Sequence, residues 1–411
     1  MPKVIIRPLE PLRTDAPEIF LPNEIASYSQ NLRYYYGELR KRAGLENPKW
    51  NLGEKIQGIY LYRKFDNTIY WLALSANDLF QLNEDGTVVY RTPLYGTGTI
   101  TIISQNPTIV TGSGTSFISA GIKSGHKLAL SANETDPTKT WYNIQSVDSE
   151  TQLTLSSPAQ AYSGNYTIRK TFQAPESYRW RAIVINDNFV FTNGYNPVMK
   201  WTGSGQAEVL VSTPFFFLTG FLQRLILARI QTAEDNRPAY IQWSTTSNIG
   251  DFTGVGSGAK YFWETGKYIT GIGRTTNVLV IYQDDNIFTG IPTGDPEDPF
   301  RWYLSSVGEG LIAPHSLVET KGVNFGLGRK DFFVFDGSSY IPIGREIIRF
   351  FKEKTPYNKQ LETIGFIDAY DDIHFIADTK LGRLDFKYNV RFQRWSIDEF
   401  NPEITAGGLV E

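Results

Sequence analysis

The sequence has no cysteine, two methionines and three histidines. Without thiols there is no disulfide scaffold, no thiolate metal site and no cysteine nucleophile. His126, His315 and His374 stand far apart, with no paired-histidine zinc motif among them, and His374 reads as an ordinary half-buried strand residue. No run of 18 apolar residues is present to span a bilayer. The opening MPKVIIRPLEPL lacks the long apolar core of a signal peptide, so synthesis in the cytosol is expected. A basic excess is missing too: 40 Lys and Arg face 43 Asp and Glu, a net charge of −3. Tight nucleic-acid binding is therefore not advertised, and any contact with DNA would be a passing one. The glycine strings GTGTIT, GSGTSF and GVGSG neither follow a strand nor open a helix, and no P-loop sequence occurs, so they read as turns.

What is abundant points to β-structure. The 411 residues include 36 Gly and 21 Pro, and aromatics make up 14%. Such a composition favours an all-β, turn-rich chain. Its recurring unit is clearest at residues 277–290, NVLVIYQDDNIFTG. Val278 to Tyr282 form a β-branched and aromatic run too short for a stable helix, followed by an acidic turn and a second strand. Related units occur at 66–83, 186–203, 223–244, 323–337 and 371–396. After one insertion is set aside they lie roughly 35 to 55 residues apart, the length of a four-stranded propeller blade. About six such blades close a ring without a long exposed sheet edge. A pair of stacked β-sandwiches would give similar strand signals.

The chain divides accordingly. Residues 1–50 form a Pro-rich arm and docking segment, and 51–96 with 171–400 form the propeller. Residues 97–170 are an inserted small β-sandwich or barrel, built from Thr- and Ser-rich alternating strands, and 401–411 are a C-terminal tail. In the arm, Asn23 is placed to cap a short helix, and residues 31–42 read as a hairpin around Gly37. Arg33, Arg40, Lys41 and Arg42 give that hairpin the densest positive charge, which marks either a docking surface or a solvated strand pair. One amphipathic helix is expected over 343–356, with Ile347, Ile348, Phe350 and Phe351 on its apolar face and Pro356 at its end.

Asp284, Asp285, Asp295, Glu297 and Asp298 form the sharpest charge feature, five acids without a base. Their spacing lacks the regular oxygen ligands of a calcium loop, so no metal is expected. They read as a solvated acidic turn, or as a channel-lining constriction that repels phosphates. A sialidase-like propeller would gather arginines around a substrate carboxylate. Arg63, Arg179, Arg181, Arg224, Arg274 and Arg301 supply the residue type, but the aspartate-box repeat is missing and residues 244–254 only echo it faintly. No catalytic residue and no cofactor are expected.

Three stretches carry a family resemblance. In residues 307–348, Gly310, Ala313, Pro314 and Ser316 precede a strand, a second strand ends in Asp336-Gly337, and a helix start follows at Gly344-Arg345. Residues 367–396 look like a closing blade, with Asp385-Phe386 leading to Trp395. Residues 110–117 and 147–158 are similar to small β-domains that recur in phage structural proteins. In this order they resemble the nozzle proteins of short-tailed bacteriophages, also called tail hub or packaged-DNA stabilisation proteins. The chain is short for that family and shows no long fibre-like tip.

The resemblance implies a structural virion tail protein made in the host cytoplasm. It would form a ring, a hexamer of propeller subunits, that continues the DNA channel below the portal and adaptor. Its partners would be the portal-adaptor complex, tail fibres or spikes, and passing double-stranded DNA, with no membrane span and no catalysis. Arg33, Arg40, Lys41 and Arg42 would dock the adaptor, and the loop of Asp284 to Asp298 would face the lumen. The alternatives are a carbohydrate-binding or glycan-cleaving propeller for receptor attachment, and a distal tail or baseplate ring protein of a long-tailed phage.

Overall fold

The computed structural model describes residues 14, 50–130, 140–368 and 370–399, together with the strands at 32–35 and 38–41. Six antiparallel four-stranded sheets follow one another and form a six-bladed β-propeller. Blade one runs from Ile56–Arg63 to Val88–Tyr90, and blade two from Arg181–Ile185 to Glu208–Val211. Blade three runs from Phe217–Phe221 to Gly258–Tyr261, and blade four from Ile269–Arg274 to Phe300–Val307. Blade five runs from Val318–Thr320 to Tyr340–Pro342, and blade six from Ile364–Ile367 to Arg394–Glu399. The first strand of each blade lies nearest the axis and the last is outermost.

Blade four explains why the core lies between blades. Its second strand, Leu279–Gln283, is buried along its whole length, because successive side chains point to opposite faces and a neighbouring blade covers each. Leu279 and Ile281 join an apolar cluster with Ile226, Ile241 and Trp243 of blade three. Val280 and Tyr282 join another with Phe333 and Phe335 of blade five. The same arrangement links blades one to two, two to three and five to six. Within blade six Arg383 grips Asp378 with two hydrogen bonds of 2.6 and 2.9 Å, and the charge of Lys55, just before blade one, helps hold that carboxyl low.

Between blades one and two an eight-stranded sheet spans residues 94–169. Its long strand Trp141–Ser149 is bulged twice and carries the sheet from one half to the other around a separate apolar core that includes Phe117, Leu128 and Ile144. The first strand, Leu94–Tyr95, pairs with the last, Thr167–Arg169, so the chain enters and leaves side by side. Arg169 anchors this module to blade one. It lies 3.1 Å from the buried Asp78, with its guanidinium over the rings of Tyr90 at 3.7 Å and Trp141 at 4.4 Å.

The expected helix is shorter than its pattern. Ile343 still donates its N–H to Phe332 and extends blade five, and the helix covers only Ile348–Lys354, followed by a turn of helix at Tyr357–Gln360. No side chain caps its start. Gly344 lies so close to Asp331 and Phe332 that a Cβ there would collide with them, which fixes the chain before the helix opens. Its face packs within the chain: Phe351 is fully buried against Phe332 and Phe386, with ring centroids 4.9 and 5.1 Å away.

The residues that carry the family resemblance have packing roles. A Cβ on Gly310 would lie 2.2 Å from the Gln283 carbonyl, so only glycine lets the link from blade four to five pass the Asp284-Asp285 turn. Ser316 donates to Ala313 and accepts from the Leu327 N–H. Trp395 is buried and donates to the Ile343 carbonyl at 2.7 Å.

Candidate functional site

Of the expected docking residues, Arg33, Arg40 and Lys41 lie in a two-stranded hairpin, Leu32–Tyr35 with Glu38–Lys41, in which Arg33 stands opposite Arg40. Arg42, like the helix expected at Asn23, falls outside the described residues. The first strand of the hairpin lies beside the outermost strand of blade six.

The five acids do not form one loop. Asp284 and Asp285 make the turn before Asn286–Pro292, whereas Asp295, Glu297 and Asp298 occupy the next turn, at the far end of that strand. Seven extended residues separate the two turns by roughly 20 Å. Nor is the first pair without a base. Asp284 meets Arg329 at 2.6 Å and Lys267 at 3.5 Å, and Asp285 meets Lys267 at 3.3 Å. Those cations come from elsewhere in the chain, which a reading of the local string omits. Asp284 faces the axial cavity, while the second trio is exposed at the opposite end of the blade.

The six arginines weighed for a carboxylate site also separate. Arg224 is buried against the Ser244 and Gly256 carbonyls, and Arg274 meets Glu319 at 3.7 Å. Arg63 and Arg301 are exposed. Only Arg179 and Arg181 reach the axial cavity, where Arg229 joins them.

That cavity, of about 650 Å³, opens where the chain enters the inner strands, and a further space of about 320 Å³ lies deeper, lined by the inner strands of all six blades. Arg181 is the first residue of the blade-two inner strand, and its guanidinium lies 4.6 Å from the Phe217 ring centroid. It donates to the Pro314 carbonyl and lies 3.4 Å from Nδ1 of His315. Arg229 reaches the mouth by a backbone device. Residue 229 sits at a bulge between Ala228 and Ile230 with φ of 58°, a left-handed conformation uncommon for a side-chain-bearing residue. Its guanidinium lies 4.6 Å from the Phe216 ring and 4.9 Å from Tyr268, and it donates to the Ile269 carbonyl and to Gln231.

Charges in the mouth are unequally matched. Glu176 is paired with Lys55 at 3.2 Å, Glu362 with Lys359 at 2.7 Å and Asp378 with Arg383. Among the described residues Arg181 and Arg229 have no carboxylate at ion-pair distance, and the Nε–H of each is buried without an acceptor. Burial accordingly pushes Arg181 down to about 10 and lowers Arg229 and Arg179. His315 is held well below its ordinary range by burial and by Arg181 and Arg179, which keeps its ring neutral. Deeper in, burial lifts Glu319 to about 7 against the pull of Arg274 and Arg181. Among the described residues no group of three or more His, Asp or Glu is arranged to hold a metal, and no helix is long and apolar enough to cross a membrane. Sequence reasoning passed over Arg229, although a cation in the middle of the apolar strand Arg224–Gln231 was a visible signal.

No protein-family model matches the sequence, and no curated protein matches it. Among solved structures, a catalytically inactive virginiamycin B lyase from Staphylococcus aureus, crystallised with quinupristin, is 14% identical with a TM-score of 0.33; the match covers 81% of this chain and 95% of the lyase. PorZ, a surface component of the type-IX secretion system of Porphyromonas gingivalis, is 8% identical with a TM-score of 0.35, over 76% of this chain but only 40% of PorZ. Apo AztD from Citrobacter koseri is 9% identical with a TM-score of 0.32, over 80% of this chain and 94% of AztD. At these scores the propeller assignment rests on the sheet topology.

Proposed function

We propose that this protein is a structural subunit of a bacteriophage tail, a nozzle or hub whose copies form a ring of about six around the DNA exit channel. The ring continues the channel below the portal and adaptor, retains packaged DNA and releases it on infection by steric and electrostatic means.

The observation that carries the reading is the outer edge of blade four. Outer strands of four blades have three or four residues, whereas Phe300–Val307 has eight. The next longest, Arg394–Glu399, has the N-terminal hairpin beside it. Phe300–Val307 exposes Tyr303, Leu304 and Val307, the last at 73%. A long apolar edge with unpaired backbone groups is a template for joining another chain, and natural sheets normally shorten, charge or cover it. A second copy of this chain is the occupant that the nozzle reading requires. The order of residues 307–348 and 367–396 and the module inserted after blade one support the same reading. The propeller's own axis holds a space of ligand size, so in this proposal the duplex passes between subunits and not through one of them.

Light scattering on the purified chain, alone and mixed with the adaptor, tests the proposal. A ring of about six subunits is expected, which Leu304→Lys with Val307→Lys reduces to monomers without lowering the melting temperature. A strict monomer that ignores the adaptor, or a ring indifferent to both substitutions, overturns it.

A further inference from the structure

We propose that the mouth of the axial channel binds a small ligand bearing an oxyanion, a carboxylate or phosphate on a sugar-sized polar body, with Arg181 and Arg229 as its anion clamps. The inference stands apart from ring assembly and would hold for a monomer.

A guanidinium half withdrawn from water without an anion is an unfavourable arrangement, and Arg181 and Arg229 are both partly buried. Here the surrounding carboxylates are already engaged: Glu176 with Lys55, Asp378 with Arg383, and Asp284 with Arg329. Arg181 and Arg229 are instead laid over Phe217, Phe216 and Tyr268, which fixes their planes without neutralising them. Each leaves a buried Nε–H without an acceptor. The fork of an arginine matches the two oxygens of a carboxylate or phosphate, so an entering oxyanion would answer the charge that the rings leave in place. The neutral His315 ring beside Arg181 adds a polar group that carries no competing charge.

Size and walls narrow the ligand further. A cavity of about 650 Å³ falls within the range of small-molecule sites. Tyr268 and Tyr357 line it with rings that are about half and more than half exposed, at 49% and 61%, and such rings offer a face to the apolar side of a sugar. Arg229 is held in its left-handed bulge by the sheet on both sides, and Arg181 opens a strand, so the clamp stands on rigid elements.

Calorimetric titration of the full chain at low salt with glucuronate, glucose 6-phosphate, glucose and inorganic phosphate tests the site. At least one acidic sugar is expected to bind while glucose does not, and the tighter of the two assigns the oxyanion as carboxylate or phosphate. Arg181→Met and Arg229→Met should each weaken that binding about tenfold or more, as expected for loss of a charge-assisted pair. Arg229→Lys, which keeps the charge and loses the fork, gives a second reading if a methionine variant folds poorly. Arg349→Met, on the exposed face of the helix, should leave the affinity unchanged. Binding of neither acidic sugar, binding indifferent to all the Arg181 and Arg229 variants, or inorganic phosphate binding as tightly as either sugar would overturn the proposal.

Discussion

Arg169, where the inserted module meets blade one, and Arg181, at the channel mouth, are both arginines pressed against aromatic rings, yet only Arg169 faces a buried carboxylate. At the junction, Asp78 stands 3.1 Å away and also accepts from Thr92 at 2.8 Å. At the mouth, Arg181 has a backbone carbonyl, a neutral histidine and a ring. An arginine laid on aromatic rings thus has two fates in this molecule: fully buried beside a carboxylate, where it ties two modules together, or half-buried and open toward a cavity. His374 and His315 repeat the contrast. Burial pulls both down, but Asp385, 2.6 Å from Nδ1 of His374, and Asp368 override it and raise His374 to about 9, while arginines depress His315 further.

The largest expected effect comes from breaking the closed pair. Arg169→Leu leaves Asp78 buried without its cation and should cost about 3–5 kcal/mol in urea unfolding, with much of the loss recovered when Asp78→Leu is added. A loss below about 1 kcal/mol for the single variant would erase the distinction from Arg181.

Next comes the alkaline side of stability. The folded His374 titrates near 9 and the unfolded side chain near 6.5, so its stabilisation is complete below about 6.5 and disappears as pH climbs to about 9. The loss across that window should be on the order of 3 kcal/mol. It should flatten in His374→Gln, and urea midpoints equal at both ends in the parent chain would contradict the assignment. His315 has the reverse sign: its folded value lies below the unfolded one, so its contribution is present above about 6.5 and is lost as pH falls. His126, lowered to about 4 by burial beside Lys170 and Lys123, adds to that acid-side loss.

The smallest effect is expected at the open cation. Arg181→Met removes a partly buried charge with no carboxylate at ion-pair distance among the described residues, so the melting temperature should hold or rise, with stability within about 1 kcal/mol of the parent. A loss as large as that of Arg169→Leu would class Arg181 as a structural residue.

How much of this was readable in advance varies with the range of the interaction. The unit at residues 277–290 was legible because its turn, at Asp284-Asp285, is local and lies between strands of evident β-preference. Six such units gave six blades. The helix start was misplaced because Ile343 is held by Phe332 across the sheet, a contact that a helical pattern does not register. The acidic string was misread as one loop because five nearby letters were divided by a strand, and because Lys267 and Arg329 arrive from other segments.

Short-range pattern in the chain was therefore enough for the all-β class, the recurring hairpins and the presence of an inserted β-rich segment, since alternation and turn chemistry act over a few residues. Which charges are answered depends on the assembled fold. Arg169 and Arg181 look alike in the string, and only the folding of distant strands around them gave one a carboxylate and the other a cavity, because electrostatic partnership depends on distances in space and on exclusion of water.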